Sequence, residues 1–404
     1  MLSIIAQEPH KKGFIAGKFG LDVSAREVVV GESVFKEILP VSVIIPSFRG
    51  SDRLVKLVRD LLSNNYPRLE VVVAIDEPSE SIVKEVSRLK SSNVKFILNS
   101  ERVGKVNALN KAIKVSAGEI LIFLDDDVEI ADPFFVERVV EEMRNYDIAD
   151  IRKVIVAENL LGKMIYIEYT AVNFASKLMA RLAQRTVAVN GAAFAIKRKA
   201  LEELGLFRPI ISEDFDLAIR SFLRGHRYGY IETTYVLNYP PESLRKWFKQ
   251  RKRWAVGVAD WLEKYYKVGF EALVKMPHVI IPGLILSLPS IVSSVLPFFL
   301  YNYTILKGFY LLLLYMSSLV SQVIPFATLI SVNLQVVYLI PLMVTLGFFT
   351  LWHYIASKYV GMKSYVYLYP VYFLVYQPLW FTILLAGLIR VVVLGRKDLQ
   401  DWVV

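Results

Sequence analysis

Cysteine is absent from the 404 residues, and histidine occurs four times, as His10, His226, His278 and His353. Without thiols there is no disulfide framework, thiolate zinc site or cysteine nucleophile, and four scattered imidazoles exclude a histidine-rich metal centre. Acid is missing over a long stretch. No Asp or Glu occurs between Glu271 and Asp398, where the chain is nearly all Leu, Ile, Val, Phe, Tyr and Pro. About the last third of the chain therefore belongs in a bilayer. Neither G-x-G-x-x-G nor G-x-x-x-x-G-K-[ST] occurs among the strands and helices that begin at Val41, so phosphates would have to be held in another way. Internal repeats and low-complexity segments are missing too. The apolar start, Met1 to Ala6, is too short for a signal-peptide core and has no basic flank. The expectation is that the charged domain stays in the cytoplasm.

Charge is plentiful before Glu271. The chain is 54% hydrophobic and 21% charged overall, with a formal net charge of +10. In a chain with membrane spans, that excess points to anionic headgroups and phosphorylated substrates rather than nucleic acid. From Val41 onward, short buried-strand runs alternate with helical patterns. Val41 to Pro46 predicts a strand, 51–64 a helix, 70–75 a strand, 79–90 a helix and 94–98 a strand. A helix over 105–115 then leads to a strand over 120–124. Such alternation predicts a doubly wound, mainly parallel sheet whose ligands sit beyond the strand carboxyl ends. Further on, the pattern predicts a long helix over 160–182, a strand over 187–194, a helix ending near Arg224, and short strands at 228–231 and 235–237.

The stretch 243–262 is different. Leu244, Trp247, Phe248, Trp254, Val258 and Trp261 share one helical stripe among Arg245, Lys246, Lys249, Arg251, Lys252 and Arg253, which predicts an interfacial amphipathic helix. About four spans follow, at 278–300, 307–330, 335–357 and 366–394. That count returns Arg396 and Lys397 to the side of the basic domain and puts Lys358 and Lys363 on the other. The expected division is an N-terminal extension (1–40), an α/β domain (41–240), interfacial helices (241–276), transmembrane helices (277–395) and a cytoplasmic tail (396–404).

Polar residues collect at the predicted strand ends. Asp125-Asp126-Asp127 closes a purely apolar strand, where alternate carboxylates can hold a divalent cation; a solvated turn reads equally well. Gly104-Lys105 opens a helix toward the same crevice, as many helices do. Ser212-Glu213-Asp214 offers a carboxylate pair for proton transfer, and on its own reads better as a helix cap. Gln250, Arg253 and Trp254 share a helix face that suits phosphate and sugar, or simple membrane anchoring.

In this order and spacing, the pieces resemble the family 2 inverting glycosyltransferases of the GT-A fold, specifically membrane-integrated synthases related to cellulose, chitin and hyaluronan synthases. The resemblance covers roughly residues 41–262. It rests on 41–46 (Val-Ser-Val-Ile-Ile-Pro), Asp76, Gly-Lys-x-x-Ala-Leu-Asn at 104–110, Asp125-x-Asp127, Asn-Gly-Ala-Ala at 190–193, Glu213-Asp214, and Gln-x-x-Arg-Trp at 250–254. It implies that Asp76 contacts the nucleoside of a nucleoside-diphosphate sugar, with UDP as the nucleotide, and that Lys105 lies near the diphosphate. Asp125 and Asp127 would hold Mg2+ or Mn2+, Asp214 would be the general base supported by Glu213, and Gln250 and Arg253 would close the donor. Trp254, Asn190 and Gly191 would meet the acceptor. The implied reaction extends a β-linked polysaccharide at the cell membrane, coupled to export; the alternative is a single transfer to a membrane lipid.

The chain departs from the family pattern in places. Ser212 stands where Thr is usual, and Asn190 stands where cellulose-type enzymes carry Cys, which leaves the sugar open. Relative to that family, the expectation is of no spans before this domain and no control domain after it, a minimal set for enclosing a channel. A transporter or scaffold would instead carry ionisable groups within its spans, and these have almost none beyond His353.

Overall fold

The computed structural model describes residues 37–89, 91–275, 277, 315 and 334–397. The expected alternation is present. It comprises β1 (Val41–Phe48), α1 (Asp52–Leu62), β2 (Leu69–Asp76), α2 (Glu80–Arg88), β3 (Val94–Asn99), α3 (Lys105–Val115) and β4 (Ile120–Leu124). Side chains start the early helices: Ser51 Oγ accepts from the Leu54 N–H at 3.2 Å and Ser79 Oγ from the Ile82 N–H at 3.4 Å. There follow β5 (Val128–Glu129), α4 (Phe135–Met143), β6 (Ile148–Ile155), α5 (Leu160–Leu182), β7 (Ala193–Lys197), α6 (Arg198–Glu203), α7 (Glu213–Arg224) and β8 (Tyr228–Asn238).

The strands form one sheet in the order β3-β2-β1-β4-β7-β6-β8-β5. Only its first half is all parallel. β7 runs antiparallel to both β4 and β6, so the sheet is mixed rather than doubly wound throughout. This reversal matters for the site, because Ala193 at the start of β7 pairs with Leu124 at the end of β4. The residues just before β7 thus arrive at the edge where β1, β2 and β4 end. The strand expected over 187–194 is accordingly loop until Ala193, and the two short strands expected near 228–237 are one strand with a register shift opposite Ile151 and Arg152. β1 also continues past Pro46 to Phe48, since its last pair with β4 is Ile44 with Phe123 and the missing N–H of Pro46 interrupts no bond of that ladder.

One apolar core fills the sheet face under α1, α2 and α4, and a second lies under α3 and α7. A third joins α5 to the last helices of the chain: α8 (Leu244–Lys275), α9 (Leu334–Tyr359) and α10, an irregular helix over Val366–Val393 with a π-helical turn at Tyr372–Tyr376. The stripe expected to lie in the headgroup plane divides. Trp247 is buried against α10, whereas Leu244 and Phe248 are exposed.

Among the described residues, α10 is the one helix long and apolar enough to cross a membrane. The spans expected at 278–300 and, apart from Tyr315, 307–330 lie outside the described residues. The turn between α9 and α10 overturns one expectation. Lys358 and Lys363 do not face away from the α/β domain, because the turn packs on it: Lys177 Nζ donates to Tyr359 O at 2.9 Å, Arg152 Nη2 to Gly361 O at 2.8 Å, and the Lys363 N–H to Tyr166 Oη at 2.9 Å. At the other end of α10, Lys397 pairs with Asp260 and Glu263 of α8, each at 2.7 Å.

α8 and α10 touch closely at Gly387, where an added Cβ would lie 2.7 Å from Ala255 Cβ and 2.8 Å from its carbonyl carbon. Gly387→Ala should therefore force the helices apart and cost about 1–3 kcal/mol. Thermal unfolding in detergent micelles is the check, and an unchanged midpoint would show that this contact is not tight.

Candidate active site

The carboxyl ends of β1, β2 and β4 and the turn before β7 converge on one crevice. Asp76 ends β2 and is buried; its Oδ1 accepts from Asn99 Nδ2 and its Oδ2 from the Gly104 N–H, both at 2.9 Å. Asp76 thereby ties the start of α3 to the sheet. Gly104 has φ 89°, a left-handed conformation that favours glycine, and it sets Lys105 as the first residue of α3.

Lys105 is the hub. Its Nζ lies 2.9 Å from Asp125 Oδ1 and 2.9 Å from Glu213 Oε1. Burial opposes its charge, but the carboxylates of Asp125, Glu213 and Asp214 outweigh burial and raise its pKa. Asp125 is placed by its N–H, which donates to Ala192 O across from β7 at 3.0 Å. Asp126 accepts from Ser47 Oγ, and burial raises its pKa. Asp127 is pushed up to about 7 by burial and then by the charges of Asp125 and Asp126, and its buried Oδ1 has no hydrogen-bond partner.

The Ser-Glu-Asp segment is not a side-chain cap. Ser212 precedes α7 without a capping bond from its hydroxyl, and the two carboxylates turn to the crevice. Asp214 Oδ2 accepts from the Gly191 N–H at 2.8 Å and Oδ1 from the Phe215 N–H at 2.9 Å. Burial, then the neighbouring Glu213, push Asp214 up to about 7 against the pull of Lys105. Gly191 is required by space, since a Cβ there would lie 2.8 Å from Asp214 Oδ2. Asn190 folds back on its own loop, its Oδ1 accepting from the Ala192 N–H at 3.1 Å.

Two cavities meet at this cluster. One, of about 290 Å³, is lined by Asp76, Lys105, Asp125, Asp127 and Arg253 among others. The second, of about 270 Å³, is lined by Asn190, Gly191, Glu213, Asp214, Gln250 and Trp254, and shares Lys105, Asp125, Asp127 and Arg253 with the first. The fold thus brings together the candidate site residues named from the sequence. Burial lowers the pKa of Arg253, while the charges of Asp125, Glu213, Asp127 and Asp214 oppose that shift.

Sequence reasoning missed Tyr169 and Trp380, which also line the second cavity, and Glu168 and Arg251, which stand behind it. The one available signal was Glu168, the single acid of α5.

A divalent cation fits the Asp125–Asp127 pair on two grounds, the orphaned Asp127 oxygen and the crowding of like charges. Among the described residues no three His, Cys, Asp or Glu side chains form a metal cage. Two carboxylates with the remaining positions left to phosphate and water are what magnesium commonly takes.

A family model described as "Glycosyltransferase like family 2" matches residues 39–257. The poly-β-1,6-N-acetyl-D-glucosamine synthase of Staphylococcus aureus strain MSSA476 is 25% identical over 226 residues, 55% of this chain and 55% of its own length. That of Staphylococcus epidermidis is 25% identical over 231 residues, 56% of each. The matched part is thus about half the length of these relatives. Among solved structures, a mannosyltransferase from Pyrobaculum calidifontis in complex with GDP-Man and Mn2+ is similar at a TM-score of 0.49 and 19% identity, over 64% of this chain and 76% of that one.

The two raised carboxylates have a measurable consequence. Each keeps its proton to about pH 7 in the folded chain, above the ordinary value of 3.8, so its contribution to stability is present below about pH 4 and lost as pH rises through 7. Mn2+ should therefore raise the unfolding temperature more at pH 8 than at pH 5.5. Asp127→Asn should abolish that increment, and an equal increment in the variant would remove Asp127 from the cation site.

Proposed function

The chain belongs to the family 2 glycosyltransferases, with a GT-A type α/β domain related to polysaccharide synthases, and on that premise we propose that it extends a β-linked polysaccharide at the cell membrane from a UDP-linked sugar. The observation that carries this reading is the junction of two cavities at Lys105, Asp125, Asp127 and Arg253, with Asp214 on the far side. The first cavity takes the donor. Asp76 faces its nucleoside, and Lys105 and Arg253 face its diphosphate. Asp125 and Asp127 would hold Mg2+ or Mn2+, which would supply positive charge against the diphosphate.

The second cavity takes the acceptor end, against Trp254, Asn190 and Gly191. Asp214, kept basic enough by its raised pKa, accepts the proton of the acceptor hydroxyl while that oxygen bonds to the anomeric carbon. The bond from that carbon to the diphosphate oxygen breaks with its electron pair going to the nucleoside diphosphate, whose charge Lys105 and Arg253 meet. Attack opposite the leaving group inverts the anomeric centre. Glu213 acts through Lys105, and Gln250 closes the donor.

The catalytic unit is read as 41–240 on the cytoplasmic face, the linking helix as part of 241–276 and the membrane segment as within 277–395. Of the four spans first expected, 366–394 is better read as lying along the membrane surface, since both ends of α10 are bonded to the catalytic unit and α8. Export of the growing chain then runs through or beside the rest of the membrane segment. A single transfer to a lipid-linked acceptor is the second reading. It is favoured by α10, an apolar helix with exposed Val375, Leu379 and Leu385, which supplies a wall of the second cavity.

Asp214→Asn should lower transfer by about 10²–10⁴-fold while donor binding persists. In the unmodified chain the rate should climb with pH through about 7, as Asp214 loses its proton, and the variant should lack that limb. Turnover at the unmodified rate would sink the assignment. Purified chain in lipid with Mn2+ and a panel of radiolabelled nucleotide sugars separates the two products. Long, water-soluble, glycosidase-sensitive label marks a polymer, and label in one lipid band marks a glycolipid.

A further inference from the structure

Behind the second cavity lies a polar cluster that the reaction above does not use. Arg251 is fully buried, 0% exposed, next to Gln250 on α8. Its Nη1 and Nη2 meet Glu168 Oε1 and Oε2 at 2.5 and 2.7 Å, a two-pronged pairing that fixes the guanidinium plane. Tyr376 of α10 completes the arrangement. Its hydroxyl donates to Glu168 Oε2 at 2.7 Å and accepts from Arg251 Nη2 and from Trp247 Nε1, both at 3.1 Å. Three helices that are distant in sequence, α5, α8 and α10, are thus joined at one charge pair.

The guanidinium also stacks on indoles. Its central carbon lies 4.4 Å from the ring centre of Trp254 and 5.0 Å from that of Trp380. Both rings line the cavity that contains Asp214. Trp380 comes from α10, one turn after Tyr376, the residue that ends the π-helical turn. A single buried cation therefore backs two indoles that stand in the same small cavity as the candidate base. Indole faces suit the apolar faces of a pyranose ring, while the surrounding Asn190, Gln250 and Tyr169 suit its hydroxyls.

We propose that Trp380 is an acceptor-contacting residue that shares the acceptor subsite with Trp254, and that Arg251, Glu168 and Tyr376 are positioning residues that hold both indoles. The proposal rests on the reading of the second cavity as the acceptor side. It means that the subsite is incomplete without α10, so the last apolar helix of the chain is part of the specificity machinery as well as of the membrane attachment.

The test uses the full chain in lipid, with UDP-N-acetylglucosamine and UDP-glucose as donors and β-1,6-linked N-acetylglucosamine and β-1,4-linked glucose trimers as acceptors. Donor affinity is measured by calorimetry beside the transfer kinetics. Trp380→Ala should raise the acceptor KM roughly tenfold, with a smaller fall in kcat and unchanged donor affinity; Trp380→Phe should recover most of the loss. Glu168→Gln keeps the shape and removes the charge, and should raise the acceptor KM in the same direction. Combined with Trp380→Ala it should add less than it does alone, because one of the two rings it positions is already gone. Unmodified acceptor KM in Trp380→Ala, with donor affinity retained, overturns the proposal. Full additivity of the two changes overturns the positioning role of Glu168. A fall in donor affinity in Trp380→Ala places the ring on the donor side and overturns it too. Failure of the unmodified chain to bind either donor defeats the underlying reading, and the proposal with it, in a way that is distinct from a change in acceptor KM alone.

Discussion

Several acidic groups drawn into one buried crevice set the problem that the rest of the structure answers. Asp125, Asp126, Asp127, Glu213 and Asp214 come from one strand end and one helix start, and mutual repulsion adds to the cost of leaving water. Asp127 and Asp214 show the strain most plainly, each pushed to about 7. Lys105 is the counterweight within the chain, 2.9 Å from both Asp125 and Glu213. Arg253 adds positive charge at the same junction from α8. The arrangement is suited to a partner that carries negative phosphates together with a divalent cation, because such a pair relieves the crowding near Asp127 while leaving Asp214 to handle a proton.

Geometry follows from how the sheet changes direction. Parallel strands β1, β2 and β4 end side by side, which is where open α/β sheets bind ligands. Antiparallel β7 then delivers the Asn190-Gly191 turn to the same edge, and the Gly191 N–H meets Asp214 at 2.8 Å. Close approach decides the residue type here: any side chain at 191 would displace the carboxylate. The remaining wall comes from outside the sheet. α8 supplies Gln250, Arg253 and Trp254, and α10 holds α8 in place through tight contact at Gly387 and the buried Arg251–Glu168–Tyr376 cluster. Breaking such a pair on one side leaves a charge stranded in an apolar core, so the helices are coupled rather than merely adjacent.

Much of the catalytic region was legible in the residue order. Strand runs such as 70–75 and 120–124 are apolar throughout, and the helices between them carry apolar residues at helical spacing, so periodicity identified them. Charged residues at the ends of apolar runs pointed to Asp76, Lys105, Asp125 and Asp127, the Ser-Glu-Asp run and one helix face offered Asp214 and Gln250–Trp254 beside plainer readings, and the family resemblance added Asn190 and Gly191 and gave each its role. Less was legible where meaning depends on a distant partner. Arg251 looked like one more basic residue on an amphipathic helix. Its role as a buried cation depends on Glu168, 83 positions earlier, and on Tyr376, 125 positions later. The membrane face was misjudged for the same reason: the stripe through Trp247 was read as lipid-facing, and α10 packs against it.

Sequence alone determined the local elements, the division into a charged α/β part and an apolar part, the family, and the chemical types gathered at the strand ends, because each of these is written in short-range spacing and composition. Tertiary structure alone decided the reversal at β7, the absence of a side-chain cap at Ser212, the return of the α9–α10 turn to the catalytic unit, and the entry of Trp380 into the second cavity. Those outcomes depend on which surfaces bury one another and which charges find a partner, and both are set by contacts between segments far apart along the chain.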